Sequence, residues 1–242
     1  MVMTSTTMLV LAGGFGTRLQ QAVSNVPKPM APVNGVPLLQ LQLDHWINQG
    51  QKSFIFLLHH QFEIIVDFLL RRSQYYGNSV NIEWIVEDTP LGTGGSVSNA
   101  IAEKKLSGSV LIANADTWLE YGLKEMIKVE YPAIGVIKVQ DTSRYGSVSL
   151  NQDGFVEKFV EKNKDLGTHH SGLINAGLYK LPTSIFNKIG SKTFSLEEQI
   201  LPQLSELKIL KSLLIEGQFF DIGVPKDYYE FCDSIDLKKE KS

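Results

Sequence analysis

Met8-Leu9-Val10-Leu11-Ala12-Gly13-Gly14-Phe15-Gly16-Thr17-Arg18 is the stretch that decides the architecture. Met8 to Ala12 is an unbroken apolar run that stops at glycines, as a strand buried on both faces of a parallel sheet does. Parallel strands need crossovers, and the following sequence supplies them. Pro37 to Gln49 has helical spacing and ends at Gly50, Ser53 to Leu58 is a second apolar run, and Phe62 to Leu70 is helical in pattern. Asn81 to Val86 reads as a third strand, Gly94 to Ala102 as a short helix, and Val110 to Ala113 as a fourth strand. This alternation predicts an α/β fold with a doubly wound, mostly parallel sheet, whose ligands bind beyond the carboxyl ends of the strands.

The second half is richer in strands. Ile134 to Val139, Ser147 to Leu150, Phe155 to Val160 and Leu173 to Leu181 have β character, with a hairpin turn at Asn151-Gln152-Asp153-Gly154. Ser195 to Glu198 has the spacing of a capping box, and Pro225 suits the first turn of a last helix.

Bulk properties bound the function. The 242 residues suffice for one large domain, and with no linker or repeat the whole chain, 1–242, reads as a single domain with frayed ends at 1–7 and 237–242. A net charge of −3 gives no nucleic-acid footprint, so positive charge for an anionic substrate must be local. Cys232 is the single cysteine, which excludes a disulfide framework and a cysteine-based zinc site within one chain; it reads as a packed thiol on an apolar helix face. No stretch approaches the ~18 apolar residues of a membrane span, and no signal peptide is apparent, so a cytoplasmic protein with no membrane partner is expected. Phe, Tyr and Ile residues in the last helix would suit a homodimer.

The glycines after the first strand permit positive φ and let backbone N–H groups meet an anion. Arg18 adds a planar cationic fork suited to phosphate. Leu19 stands where a third dinucleotide-binding glycine would be, and no Gly-Lys-Ser/Thr follows, so neither familiar phosphate-loop motif applies. Downstream, Pro27 and Pro29 restrict the backbone on either side of Lys28, a rigidity useful to a lysine that must meet a phosphate.

The pattern A-G-G-x-G-T-R-L (Ala12 to Leu19) followed by P-K-P-M (Pro27 to Met30) resembles the signature of sugar-1-phosphate nucleotidylyltransferases. The likeness continues through Glu87-Asp88-Thr89-Pro90-Leu91-Gly92-Thr93-Gly94-Gly95, Asn114-Ala115-Asp116, Tyr145-Gly146, Glu161-Lys162, Ile174-Asn175-Ala176-Gly177 and Phe219-Phe220-Asp221-Ile222-Gly223-Val224-Pro225. Within that family, P-L-G-T-G-G, F-S-L-E-E (Phe194 to Glu198) and F-D-I-G-V-P-x-D-Y-Y are most similar to heptose 1-phosphate guanylyltransferases.

The resemblance implies a Rossmann-like fold, Mg²⁺ as cofactor, and a nucleoside triphosphate (GTP) and a sugar 1-phosphate (of a heptose) as substrates. It also implies roles. Arg18 and the Gly13, Gly14 and Gly16 backbone hold the triphosphate and its leaving pyrophosphate, with Leu11, Ala12 and Thr17 beside them. Pro90, Leu91, Gly92, Thr93 and Asn114 meet base and ribose, and Lys28 neutralises the reacting phosphates. Asp116 and Asp221 bind the metal, Lys162 binds the sugar phosphate, and Gly95, Tyr145, Gly146, Glu161, Asn175 and Ala176 meet the sugar. No general base is needed, because a phosphate monoester with a second pKa of roughly 6 is already mostly a dianion at neutral pH.

Several features depart from the pattern or compete with it. Ala115 stands where the family usually has glycine, and Asn163 rather than proline follows Lys162. Asp221 also has a plain alternative as N-cap of the last helix. The pairs His59-His60 and His169-His170 lie outside the motifs, and neighbours in a strand point to opposite faces. A glycosyltransferase would show a second acid after Asp116, where Thr117 and Trp118 stand. A binding homologue without activity would have lost Lys28 or a metal acid. Nothing resembling a C-terminal β-helix follows Asp221.

Overall fold

The computed structural model describes residues 6–23, 26–130, 132–161, 170–187 and 192–239. Lys162, Asn163 and His169 lie outside these residues. In chain order the elements are β1 (Met8–Leu11), β2 (Pro32–Val33), β3 (Val36–Pro37), α1 (Leu38–Asn48), β4 (Ser53–Leu58), α2 (Phe62–Tyr76), β5 (Asn81–Val86), α3 (Gly92–Glu103), β6 (Ser109–Asn114), β7 (Thr117–Leu119) and α4 (Leu123–Lys128). There follow β8 (Ala133–Val139), β9 (Ser147–Leu150), β10 (Val156–Val160), β11 (Gly172–Pro182), α5 (Leu201–Glu206), β12 (Lys211–Leu214), β13 (Phe219–Asp221) and α6 (Pro225–Lys239).

β5, β4, β1 and β6 lie side by side and parallel, as the apolar runs predict. Alternation along them divides the core into two faces. Met8, Val10, Phe54, Phe56 and Leu58 point into one apolar cluster, while Leu9, Ile55 and Leu57 point into the other. Each such side chain, fully buried, contributes about 1.5–3 kcal/mol. β11 then runs antiparallel to β6, and β8 antiparallel to β11, so the nine-stranded sheet is mixed. The first part of β11 pairs with β9 and its later part with β6, so this one strand joins the hairpin β9–β10 to the parallel half. The hairpin turns on Asn151, whose side-chain Oδ1 accepts from the N–H groups of Asp153 and Phe155.

Three differences from expectation have physical causes. α3 begins at Gly92, two residues early, because its glycines pack tightly against a neighbour rather than forming an open loop. Ser195 does cap a helix, accepting from the Glu198 N–H at 3.1 Å, but the turn it opens (Leu196–Ile200) is a wide π turn that runs on into α5. Lys211 to Leu214, too short and mixed to stand out, becomes β12 beside β8. At the ends, Thr6 and Thr7 are tied by their carbonyls to Gln51 and Leu111, and α6 continues to Lys239.

A third apolar cluster, with Leu19, Ala31, Val33, Leu38, Trp118, Ile222, Tyr228 and Phe231, ties the segment after the glycine loop to β7 and α6. The residues expected to support a dimer are mostly consumed here. Tyr228 and Phe231 are buried and Ile235 packs against the cluster, while Tyr229 is 54% exposed. Cys232 packs at the same cluster, and burial pushes its thiol above the usual range.

Candidate active site

The loops beyond β1, β4, β5 and β6 border two adjoining cavities of about 360 and 250 Å³. Asn114, Asp116 and Glu197 line both. The larger is walled by Leu11, Gly13, Gly14, Phe15, Pro90, Gly92 and Thr93; the smaller by Arg18, Tyr145, Gly146, Glu161, Asn175 and Asp221. Many residues expected at the nucleotide therefore gather on one side and most of those expected at the sugar on the other, but Arg18, expected at the triphosphate, lines the smaller cavity, and Ala12, Gly16 and Thr17 line neither.

A short ribbon brings the two acids together. β13 pairs antiparallel with β7, placing Asp221 opposite Thr117, and the Ile222 N–H donates to the Asp116 carbonyl at 2.8 Å. Asp221 lies four residues before α6, so it is not that helix's N-cap. Burial, and then the charge of Asp116, raise its carboxyl above the ordinary aspartate range; Lys28, Arg144 and Arg18 oppose the rise. Lys28 Nζ donates to Asp116 Oδ2 at 2.5 Å. Arg144 forks onto Asp227, with contacts of 3.2 and 2.5 Å, and its Nη2 also stands 3.6 Å from Asp221.

The glycine loop is shaped by close approaches. Gly16 has φ of +62°, and a side chain there would meet the Cβ of Lys28 at 2.9 Å. Pro27 is extended, and hydrogen bonds from Met30 to Pro27 and from Ala31 to Lys28 close a tight turn that fixes the lysine under the loop. Thr17 and Arg18 are exposed, whereas Ala12 is buried. Phe15, 53% exposed, has its ring against both His59 and His60. The two histidines thus share a side, contrary to the strand expectation, because they lie past the end of β4. His59 Nδ1 donates to the Glu87 carbonyl at 2.9 Å, steadying the segment that leads to Pro90. Of the second pair, His170 has its Nε2 3.3 Å from the Thr142 hydroxyl.

On the smaller cavity's side, a side chain at position 146 would lie 2.9 Å from Glu161 Oε2, so glycine lets that carboxylate lie over the backbone. Asn175 donates to the Tyr179 hydroxyl at 2.8 Å and accepts from the Gly177 N–H at 3.0 Å. Tyr145 packs edge-on against Phe219, and burial pushes its hydroxyl up to about 12.

Gly95, Ala176 and Leu91 stand behind the two cavities rather than in their walls. Gly94 and Gly95 send their N–H groups to the Phe194 carbonyl, so Gly95 packs helix α3 against that segment and lines neither cavity. Ala176 is a core residue in β11 rather than a cavity wall. Leu91 spends its N–H on Glu87 and its carbonyl on Phe194, and supports the loop from behind. Ala115 is buried in the core, so its methyl is accommodated away from the cavities.

Sequence reasoning passed over Glu197. Its Oε2 accepts from Thr93 at 2.5 Å and Ser195 at 3.0 Å, and its Oε1 from Tyr179 at 3.4 Å, linking the loop of one cavity to the strand of the other. It lay inside the quoted F-S-L-E-E, and an acid facing inward from a helix start was the available signal. Arg144 was also missed, although it immediately precedes Tyr145-Gly146.

With this geometry in view, the nucleotidyl transferase family matches residues 7–236. The chain belongs to that family. A relative from Campylobacter jejuni, D-glycero-alpha-D-manno-heptose 1-phosphate guanylyltransferase, is 32% identical over 92% of this chain and 97% of its own length. The mannose-1-phosphate guanyltransferase of Saccharomyces cerevisiae is 33% identical over 91% of this chain, which spans 62% of that longer protein. Among solved structures, HddC from Yersinia pseudotuberculosis complexed with GMP-PN superposes with a TM-score of 0.80 at 32% identity, covering 95% of this chain and 99% of that one. This nucleotidyl transferase therefore has the fold and family that the motif stretches implied.

Proposed function

We propose that this nucleotidyl transferase moves a guanylyl group from GTP to D-glycero-D-manno-heptose 1-phosphate, releasing pyrophosphate with the help of Mg²⁺. The observation that carries the reading is the convergence of Asp116, Asp221 and Lys28 where the two cavities meet. The substrates are suggested by the heptose 1-phosphate guanylyltransferase relative, which this chain covers almost completely. Mannose 1-phosphate is the second choice, from the yeast relative. We place the reaction in the cytoplasm, supplying a nucleotide sugar for surface-glycan synthesis.

The donor set suits Mg²⁺. Two carboxylates, Asp116 and the buried Asp221, form a hard oxygen site, Asp221 being held above its ordinary range by burial and then by Asp116, and phosphates and waters complete such a site. Bound there, the ion would supply charge neutralisation at the reacting phosphate oxygens.

The protein's own groups account for the remainder. The sugar phosphate, already a dianion, needs no base, so the task is to bring like charges together and hold them in line. The Gly13–Gly16 backbone and Arg18 bind the triphosphate and the departing pyrophosphate. Lys28 offsets charge at the α-phosphate, and Lys162 binds the sugar phosphate. Glu161 and Asn175 accept and donate at sugar hydroxyls, while Tyr145 and Gly146 set the cavity's wall. Thr93, Pro90 and Gly92 border the base and ribose.

The test is pyrophosphate release by the purified protein with Mg²⁺, pairing GTP, ATP, UTP, CTP and dTTP with heptose, mannose, glucose and N-acetylglucosamine 1-phosphates. Release with GTP and the heptose, lost in Asp116→Asn, is expected. Tight nucleotide-sugar binding with no release from any pair would replace the enzyme by a binding homologue.

A further inference from the structure

Lys28 does something in the free protein that its phosphate role does not require. Its ammonium sits on Asp116 Oδ2 at 2.5 Å, one of the oxygens a metal would need, and its side chain is only 10% exposed. We propose that Lys28 reserves the metal site, keeping a divalent cation off Asp116 until a nucleotide occupies the glycine loop and draws the ammonium away. This rests on the reading of Asp116 and Asp221 as metal acids.

The second acid is likewise held. Asp221 faces the Arg144 guanidinium at 3.6 Å, and Arg144 is forked onto Asp227. Three carboxylates therefore face Lys28, Arg144 and, acting on Asp221, Arg18, and the surplus charge left to attract a dication is small. A buried ammonium is costly to leave unpaired, so Lys28 moves only toward another anion. The nearest place to receive one is the loop above it. The lysine's stem already fills the space that a side chain on Gly16 would take, with Cβ at 2.9 Å and Cγ and Cδ at 3.7 Å. Its flexible ammonium can exchange a carboxylate for a phosphate over a short distance without moving the backbone. Coupling of this kind is reciprocal: nucleotide raises metal affinity, and metal raises nucleotide affinity by the same factor.

The experiment is Mn²⁺ binding followed by electron paramagnetic resonance, in the full chain, with and without GTP and without sugar phosphate. Wild type is expected to bind Mn²⁺ weakly alone and at least about tenfold more tightly with GTP. Lys28→Met should bind Mn²⁺ alone about tenfold more tightly than wild type, and adding Asp116→Asn should remove that gain. Equal affinity in Lys28→Met and wild type overturns the proposal. So does nucleotide-free wild type that binds Mn²⁺ as tightly as its GTP complex, a measurement that holds even if the variant does not fold. The two readings fail separately. Pyrophosphate release that survives Asp116→Asn removes the metal-acid reading, whereas unchanged Mn²⁺ affinity in Lys28→Met, with wild-type release that is lost in Asp116→Asn, removes only the reservation by Lys28.

Discussion

Asp221 shares its corner with Asp116, and its carboxyl is raised by burial and by that neighbour. Between the ordinary aspartate range and the raised value, the folded protein keeps a proton that the unfolded chain has lost. Stability therefore falls as pH rises through that window, and the full cost is present at neutral pH. Asp221→Asn should raise the melting temperature of the metal-free protein at neutral pH, with the gain vanishing below the ordinary aspartate range near ~3.9. The same variant should lose most pyrophosphate release. A drop in melting temperature at neutral pH would contradict the electrostatic account. Glu197 makes a second prediction. Glutamine there presents a donor to Thr93 and Ser195 or to Tyr179, hydroxyls that now donate to the carboxylate. Losing one or two charge-assisted hydrogen bonds of ~1.5–3 kcal/mol should lower kcat/KM by roughly 10- to 100-fold, with the KM of both substrates affected. Steady-state kinetics varying each substrate in turn reads this directly, and a change confined to one KM would deny Glu197 its bridging position.

Helix α3 owes its place to absent side chains. A methyl on Gly94 would lie 2.2 Å from the Phe194 ring, and one on Gly95 would lie 2.5 Å from the Lys192 carbonyl. Gly94→Ala should destabilise by about 1–3 kcal/mol in denaturant melts, and Phe194→Ala by about 3–5 kcal/mol. Because the two positions share one contact, the double variant should fall short of the sum; strict additivity would mean that they do not touch. This element also shows where sequence stops being legible. P-L-G-T-G-G pointed to the nucleotide side, but which glycine meets ligand and which meets Phe194 depends on a segment a hundred residues later. The parallel strands were legible because burial on both faces writes an unbroken apolar run. The β7–β13 ribbon was not, since three-residue strands carry no period, although its product, the meeting of Asp116 and Asp221, was implied by the family resemblance.

Across the molecule, β11 is the strand on which the two cavities depend. Its later part pairs with β6, the strand that ends in Asn114 just before Asp116, and its earlier part pairs with β9 beside Tyr145 and Gly146. The shift in register falls at Asn175 to Tyr179, where Gly177 has φ of +70° and the Asn114 side chain takes the space of its missing Cβ at 2.7 Å. Gly177→Ala should therefore disturb both substrates' KM as well as stability, while Gly146→Ala, which meets only Glu161 and Phe159, should raise the sugar phosphate KM alone. Fold class was readable from the alternating apolar runs, and ligand binding at strand ends follows from it, whereas the division into nucleotide-side and sugar-side residues came only with the family resemblance. The contacts of Glu197 with Thr93 and Tyr179, and of Arg144 with Asp227, were not readable, because each joins residues far apart in the chain that meet only through tertiary packing. The measurement that tests the whole account most directly is phosphorus NMR of the purified protein with GTP, heptose 1-phosphate and Mg²⁺. GDP-heptose and pyrophosphate should appear in equal amounts, with neither formed when the sugar phosphate is left out. Pyrophosphate released without the sugar phosphate, or no turnover despite nucleotide bound, would contradict it.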